Sequence, residues 1–252
     1  MSSLRVAFAF LTRIPVGARV EDGSDIGRAV PWFPLVGAFV GLVTALTYMA
    51  GSALWPNSVA AVIAVGVATW LTGAFHEDGL ADTADAFGGS FTRERALEIF
   101  KDPRHGSFGV LALVLSVALR IALIAALDPA EAMFILPVTH AVSRGGALQL
   151  FAFLRPAAPG LGASYAETVA RGHLLGAAVV ACVIAAIGAG LLFWVPVVAS
   201  LPAVVLAGWL SARKIGGLTG DVLGAAQQGA ELSVLLVAVA LERTGIVWAW
   251  FI

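Results

Sequence analysis

Acidic side chains are concentrated in one short segment of this sequence, residues 76–89, which reads HEDGLADTADAFGG. Its carboxylates Asp78, Asp82 and Asp85 follow at intervals of four and three residues, so a helix would carry all three on one stripe. Two carboxylates about 6 Å apart repel by roughly 3 kcal/mol at an effective dielectric of 20. No Lys or Arg occurs in the segment before Arg93. A divalent cation would remove this repulsion.

Oxygen ligands favour a hard ion, Mg²⁺ or Mn²⁺, over zinc. Proteins usually hold Mg²⁺ through one or two carboxylates together with substrate phosphates. The segment therefore predicts phosphoryl or nucleotide chemistry. The alternative, a solvated acidic loop, does not explain acids at helical spacing with apolar residues between them.

A basic segment follows, KDPRHGSFG at residues 101–109. Lys101 and Arg104 are candidates to contact phosphate oxygens, Arg104 through its planar fork and Lys101 as a point charge. Gly106 and Gly109 would let backbone N–H groups approach an anion at the start of the next helix. The alternative is a basic turn that only sets membrane topology.

Polar residues also interrupt two apolar stretches further along the chain. His140, Ser143 and Arg144 fall within one of them, and an arginine there needs a carboxylate or a bound anion as its partner. In the other, glycines over 216–229 predict a tight turn before a helix. Candidate substrate contacts on that turn and helix are Thr219, Asp221, Gln228 and Glu231. Structural roles stay open for each of them: a helix cap for Thr219 or Asp221, and an ion pair with arginine for Glu231.

Composition indicates where these residues are held. The chain has 252 residues, 60% of them hydrophobic and only 12% charged, with a mean hydropathy of +0.93. These values exclude disorder and an ordinary soluble enzyme. A net charge of −1 gives no basic field for nucleic acid, and the single Cys182 excludes an internal disulfide. We therefore predict an all-α polytopic membrane bundle in a lipid bilayer, organised as one domain over 1–252.

About seven spans are expected, since a spanning helix needs about 20 mostly apolar residues. They are 31–50, 58–75, 108–127, 130–153, 174–193, 195–210 and 222–241. Arg and Lys occur in every second connection between them. By the positive-inside rule, the N-terminus and the loop and helix at 76–107 are cytoplasmic.

The motifs together resemble those of the adenosylcobinamide-GDP ribazoletransferases, the cobalamin synthases. The matching segments, in chain order, are 10–16, 32–37, 76–85, 101–109, 143–144 and 216–225. They cover nearly the whole chain, and the string HEDGLADTAD at 76–85 is the most specific.

This resemblance implies a reaction in a bacterial or archaeal cytoplasmic membrane. Alpha-ribazole, or its 5′-phosphate, attacks the phosphate next to cobinamide in adenosylcobinamide-GDP. GMP leaves, and cobalamin or its 5′-phosphate forms. Mg²⁺ is the implied cofactor, nucleic acid is not an expected partner, and a homo-oligomer stays open.

With that reaction in view, Asp78 and Asp82 are the expected Mg²⁺ ligands. Asp85 is expected either to hold a second ion or to accept the proton of the attacking hydroxyl. The expected groups that neutralise phosphate charge are Lys101, Arg104 and Arg144. Further expected substrate contacts are His76, Gly106, Ser143, Thr219, Asp221, Gln228 and Glu231.

Two other classes compete with this interpretation. CDP-alcohol phosphotransferases also carry spaced aspartates on a membrane helix, but their Asp-x₂-Asp-Gly-x₂-Ala-Arg pattern does not match residues 78–85. A transporter would need acids near mid-membrane in several spans, whereas most acids here are expected at one membrane face.

Overall fold

The computed structural model describes residues 2–17, 23–158 and 167–245. These residues form helices joined by turns, and no β-strand occurs within those ranges, which confirms the predicted all-α class. The helices are α1 (Ser3–Leu11), α2 (Gly23–Ala29), α3 (Phe33–Ser52), α4 (Asn57–Thr72), α5 (Phe75–Gly88), α6 (Arg93–Ile99), α7 (Ser107–Ala126), α8 (Pro129–Leu148), α9 (Arg171–Ala189), α10 (Trp194–Ile215) and α11 (Gly220–Arg243). Short 3₁₀ turns cover Val30–Trp32, Gln149–Ala152 and Gly190–Leu192.

Five helical segments among the described residues are long and apolar enough to cross a membrane, or six if α4 and α5 are counted as one broken span. They are Gly23–Ser52, Ser107–Ala126, Arg171–Leu192, Trp194–Ile215 and Gly220–Arg243. The polytopic architecture is thus confirmed, with a count slightly below the seven expected. One expected span that is not among them is 130–153, which corresponds to α8. Polar side chains such as His140 and Arg144 make this helix less apolar.

Helix α8 lies inside the bundle and packs against α3, α9, α10 and α11. Small residues permit its closest approach to α3: a Cβ added to Gly37 would collide with the His140 carbonyl oxygen, and one on Gly41 with that of Leu136. Close packing through glycine is typical of membrane helices. Because protein surrounds α8, its polar side chains face other helices and are shielded from lipid.

A sharp corner separates α4 from α5. The two helix axes differ by 89°. Gly73 and Ala74, which join the helices, both have left-handed backbone conformations, with φ of 69° and 60°. Helix α5 has 14 residues, which is about 21 Å of helix and too short for a hydrocarbon core of about 30 Å. We therefore treat α5 as lying outside the spanning segments.

Contacts with three other elements fix the direction of α5: it packs against α11, α7 and α6. At its C-terminal end, the Lys214 ammonium of α10 donates hydrogen bonds to the carbonyl oxygens of Phe87 and Ser90, at 3.0 and 3.2 Å. A cation at this position also interacts favourably with the helix dipole. These contacts hold α5, here called the acidic helix, along its length and at its C-terminal end.

Candidate functional site

The acidic helix places two of its carboxylates beside a histidine from the loop before α7. The His105 ring lies 3.8 Å from Asp78 and 3.5 Å from Asp82, measured from its Nε2 and Nδ1 atoms to the respective Oδ1 atoms. One ligand atom from each of the three side chains lies within 4.8 Å of the other two. The three side chains therefore form one cluster. They line a small pocket together with Lys101, and these four residues are here called the acidic pocket.

Burial increases along the acidic stripe. The Asp78 side chain is 64% exposed and that of Asp82 21%, whereas Asp85 is buried. The pKa of Asp82 is raised to about 6, first by burial and then by the nearby carboxylates of Asp78 and Asp221. The negative charges therefore remain incompletely compensated, as the sequence predicts.

Asp85 is not brought into the acidic pocket. Its carboxylate accepts hydrogen bonds from the backbone N–H groups of Gly106, at 2.6 Å, and Gly109, at 2.8 Å. These are the N–H groups expected to bind an anion at the start of a helix, and the anion they bind here is a side chain of the protein. A Cβ on either glycine would collide with the Asp85 carboxylate, which explains why both positions lack a side chain.

The two basic residues of the same loop differ in whether they already have an acidic partner. Arg104 donates two hydrogen bonds to Asp102, at 2.9 and 2.8 Å, and this interaction lowers the pKa of Asp102 to about 2. The Arg104 side chain is otherwise exposed. Lys101 is exposed as well and lines a pocket of about 290 Å³ together with Asp78 and Asp82. Among the described residues, Lys101 forms no ion pair. An anionic ligand in that pocket could therefore contact Lys101 without displacing another group.

The acidic pocket has the donors that a hard divalent ion requires. Asp78 and Asp82 supply the carboxylate oxygens and the negative charge that Mg²⁺ and Mn²⁺ prefer, and His105 adds a nitrogen ligand atom within 4.8 Å of theirs. Three protein ligands leave coordination positions for water or phosphate oxygens, which is the usual mode for Mg²⁺. The residues present therefore fit Mg²⁺ or Mn²⁺.

Behind α5, a buried network of charged groups joins four helices. Arg120 of α7 contacts Glu77 of α5 at 2.8 Å and Glu231 of α11 at 3.2 Å. The second carboxylate oxygen of Glu231 lies 3.4 Å from His140 of α8. All four side chains are buried. Because a buried charge without a partner is strongly destabilising, this network fixes the four helices relative to one another.

Amide side chains of α11 extend the same network. Gln227 donates hydrogen bonds to Glu231, at 2.7 Å, and to the Ser143 hydroxyl, at 3.0 Å. Gln228 donates to the side-chain oxygen of Gln227 at 3.1 Å and accepts a hydrogen bond from Arg120. The structure thus places Ser143, Gln228 and Glu231 in helix-to-helix contacts.

A cavity with a volume of about 450 Å³ lies beside the start of α11. Most of its lining is apolar, with aromatic rings from α1, α3 and α5: Phe10, Phe33 and Phe75. Its polar lining residues are His76, Arg144, Thr219, Asp221 and Gln227. Sequence reasoning selected all of them except Gln227, although the resemblance gave no indication that a cavity joins them.

The first turn of α11 connects this cavity with the acidic pocket. Thr219 caps the helix by accepting the Val222 N–H at 3.3 Å, so the capping role belongs to Thr219. Asp221 lines the cavity, and its carboxylate raises the pKa of Asp82. A Cβ on Gly79 of α5 would approach the Asp221 carbonyl oxygen to 2.8 Å, so the two helices pack backbone to backbone there.

Predicted site residues therefore fall into separate groups. The acidic pocket contains Asp78, Asp82 and Lys101; the cavity contains His76, Arg144, Thr219 and Asp221; the buried network contains Ser143, Gln228 and Glu231. Asp85 and Gly106 bind each other, and Arg104 binds Asp102.

Sequence reasoning missed His105, Glu77 and Arg120. An arginine within an apolar span is itself a signal of a buried partner or a functional site, so Arg120 was detectable. Glu77 lies inside the acidic segment, but its position on the helix points it toward the bundle. His105 offered no comparable signal, because only the fold of the loop brings it to Asp82.

Fold and site define a class: a polytopic helical membrane protein with a candidate hard-metal site beside a cavity. Comparison with known proteins identifies the family within that class. The profile of the cobalamin-5-phosphate synthase family matches residues 3–239, and the chain belongs to that family.

Curated relatives resemble the chain over nearly its whole length, and those cited here are named adenosylcobinamide-GDP ribazoletransferase. The protein of Bradyrhizobium diazoefficiens is 42% identical over 249 residues, which cover 96% of this chain and 95% of the relative. That of Shewanella amazonensis is 40% identical over 247 residues, or 94% of each chain. That of Leptothrix cholodnii is 41% identical over 245 residues, or 92% of each. No solved structure matches the chain significantly.

Proposed function

We propose that the protein is an adenosylcobinamide-GDP ribazoletransferase that acts late in cobalamin biosynthesis. The observation that carries the proposal is the acidic pocket, in which Asp78, Asp82 and His105 meet beside the free cation of Lys101. Membership of the cobalamin-5-phosphate synthase family and the names of its relatives support the same reaction.

In this reaction, a ribose hydroxyl of alpha-ribazole, or of its 5′-phosphate, attacks the phosphorus next to cobinamide. The new P–O bond forms as the bond from that phosphorus to the oxygen of GMP breaks. GMP leaves with the bonding electron pair, and the hydroxyl proton passes to a base. Such a transfer depends mainly on positioning and on neutralising charge.

Asp78, Asp82 and His105 would hold Mg²⁺. When bound, the ion would neutralise charge on the pyrophosphate. Lys101 would contact phosphate oxygens from the same pocket, and Arg104 would join it by exchanging Asp102 for substrate. Arg144 and His76 would contact substrate from the cavity.

Three roles are open to Asp85: ligand of a second ion, base for the attacking hydroxyl, or support for the loop before α7. Its contacts with Gly106 and Gly109 favour the supporting role, because both carboxylate oxygens are already engaged. In that role Asp85 orders the loop that carries Lys101 and His105. Ser143, Gln228 and Glu231 would act through the helix positions that they stabilise.

The site is proposed to face the cytoplasm in the inner membrane of a bacterium or archaeon. Support comes from the basic connections on its side of the bundle: Lys101 and Arg104 before α7, and Arg213 and Lys214 at the end of α10. In this orientation the site would take the GDP-linked substrate from the cytoplasm and release GMP there.

The proposal is tested by measuring GMP released from adenosylcobinamide-GDP by purified protein in detergent or liposomes. Reactions contain alpha-ribazole or its 5′-phosphate, with and without Mg²⁺. GMP formation that requires both a ribazole substrate and a divalent ion is expected. Absence of GMP under all these conditions, from protein shown to be folded, would exclude the proposed activity.

A further inference from the structure

We propose that the 450 Å³ cavity is the binding site for the aromatic base of the nucleoside substrate, and that Arg144 binds that substrate's 5′-phosphate. This inference rests on the proposed function and assigns one substrate to one place. The ligand class is a substituted benzimidazole nucleoside carrying a terminal phosphate.

Cavity size selects the smaller substrate. Pockets that enclose drug-sized ligands measure roughly 300–1,000 Å³, and the cavity lies near the lower end of that range at about 450 Å³. A nucleoside fits within this volume. The corrin ring of cobinamide, with its amide side chains, is far larger and must remain outside.

Aromatic geometry suits a flat apolar base. The rings of Phe10 and Phe33 lie nearly parallel, with centroids 5.6 Å apart, and the Phe75 ring meets Phe10 edge-on at 5.3 Å. A dimethylbenzimidazole base presents mostly carbon to such a lining. Guanine would bring several hydrogen-bonding groups into it, and burying them without partners is costly. The lining therefore favours the ribazole base over the guanine of the second substrate.

Arg144 supplies an independent observation that points to an anion. Its side chain is only 4% exposed, and its Nε has no hydrogen-bond partner. Its Nη1 donates to the His140 carbonyl oxygen at 3.0 Å and lies 3.2 Å from the His140 ring. Within the described part of the chain, no carboxylate lies within 4.0 Å of the guanidinium nitrogens. A phosphate in the cavity would satisfy both the buried charge and the unpaired donor.

Asp221 places the ribose near the reacting phosphate. This residue lines the cavity, and its backbone packs against Gly79 of α5, which lies between Asp78 and Asp82 in the acidic helix. A base seated among the phenylalanines would therefore present its ribose toward the acidic pocket. The arrangement gives each substrate its own site, and the two sites adjoin at the contact between α5 and the first turn of α11.

The test of the base site compares two phenylalanines of the same helix. Phe10 lines the cavity, whereas Phe8, two residues away on α1, packs against Phe39 outside it. Phe10→Ala is expected to raise KM for alpha-ribazole roughly 5- to 150-fold, the range for loss of one base–aromatic contact. KM for adenosylcobinamide-GDP should change less than 2-fold, and Phe8→Ala should leave the KM values of both substrates unchanged.

Direct binding keeps this test independent of turnover. Binding of alpha-ribazole to the detergent-solubilised protein is measured by its benzimidazole fluorescence, without the GDP-linked substrate. Phe10→Ala should weaken this binding by the same factor, and Phe10→Tyr, which keeps a ring, should restore most of it. Equal ribazole affinities for Phe10→Ala, Phe8→Ala and the unmodified protein would overturn the base site.

The phosphate contact is tested by the difference between two ligands. The unmodified protein should bind alpha-ribazole 5′-phosphate at least 10-fold more tightly than alpha-ribazole, as expected for one charge-assisted contact. Arg144→Gln should abolish this preference, and Arg144→Lys should retain part of it. If Arg144→Gln weakens binding of both ligands equally, Arg144 does not bind the 5′-phosphate.

These outcomes separate failure of the inference from failure of the proposed function. Normal GMP release with an unchanged ribazole KM in Phe10→Ala would overturn the cavity assignment alone. Absence of GMP release from the unmodified protein would overturn the activity. In that case the binding experiments would still report whether the cavity takes a benzimidazole nucleoside.

Discussion

The Asp85 carboxylate accepts a hydrogen bond from the backbone N–H of Gly106 at 2.6 Å, across a separation of 21 residues. A second bond from Gly109 completes a pair that ties the start of α7 to α5. The loop between these helices carries Lys101 and His105. Asp85 therefore fixes the position of groups that line the acidic pocket without lining it itself.

Asp85→Asn is expected to destabilise the protein as well as reduce its activity. The amide retains one oxygen acceptor but turns an N–H₂ group toward a backbone donor. Loss of a charge-assisted hydrogen bond costs about 2 kcal/mol. Thermal unfolding in detergent should show a lower Tm, together with reduced GMP release. Glu98→Gln, an exposed acid-to-amide change on α6, is the control. Lost activity at an unchanged Tm would instead assign Asp85 a direct role as the base.

Asp82→Asn is expected to reduce activity without lowering Tm. Burial, and then the neighbouring carboxylates of Asp78 and Asp221, raise the pKa of Asp82 to about 6, so removing the charge relieves an unfavourable interaction. GMP release should fall at least 100-fold, about 2.7 kcal/mol in transition-state stabilisation, whereas Tm without metal should stay equal or rise. Substantial turnover by the folded variant with Mg²⁺ would contradict the metal-ligand assignment.

His105→Ala should weaken binding of a divalent ion. The imidazole lies 3.5 Å from Asp82 and completes the set of three donors. The Mg²⁺ concentration for half-maximal activity should rise about 10-fold, equivalent to about 1.4 kcal/mol. Mn²⁺ binding, followed by electron paramagnetic resonance, should weaken in parallel. His173→Ala, at the start of α9 and away from the pocket, should change neither value.

Arg120→Met should be the most destabilising of these substitutions. It leaves Glu77 and Glu231 buried without their shared cation, and breaking a buried pair in this way costs roughly 3–5 kcal/mol. The expected results are a large drop in Tm and little folded protein after extraction. Arg213→Met provides the matched control, because Arg213 packs over the exposed ring of Trp209. Equal Tm values for the two variants would mean that the buried network does not stabilise the bundle.

Gly79→Ala tests the contact between α5 and α11. The added methyl group would lie 2.8 Å from the Asp221 carbonyl oxygen and force the helices apart. Activity and Tm should both fall, by about 1–3 kcal/mol in stability. Gly66→Ala on α4 is the matched control, because nothing lies within 4 Å of its Cβ position. There the better helix propensity of alanine should keep Tm unchanged or raise it.

Much of the fold can be predicted from the length of apolar runs and the spacing of polar residues in the sequence. Apolar length predicts the spans, so the predicted 108–127 corresponds to α7 at Ser107–Ala126 and the predicted 222–241 to α11 at Gly220–Arg243. Helical spacing of the acids also predicts α5. What spacing does not supply is the direction of each side chain: Asp78 and Asp82 face an open pocket, while Asp85 turns to the loop.

Contacts between distant residues are the part that the sequence leaves open. Arg120 and Glu77 are 43 residues apart, and Arg120 and Gln228 are 108 apart. Such pairs leave no local pattern in the sequence, because helical periodicity relates a residue only to residues a few positions away in its own helix. The cavity poses the same difficulty, since the helices that line it are α1, α2, α3, α5, α8 and α11. Phe10 and Phe33 look like ordinary apolar residues until the helices are assembled.

The corner at Ala74 has a consequence for how the protein is made. A non-glycine residue in the left-handed conformation costs about 1–2 kcal/mol, so Ala74 would not adopt it without support from neighbouring helices. When α5 leaves the ribosome, the 24-residue α11 against which it packs has not yet been synthesised. We therefore expect the acidic helix to acquire its final direction only after α11 has entered the bilayer. Nascent chains that stop before α11 are expected to insert into the membrane but to lack the helix that holds the acidic helix in place.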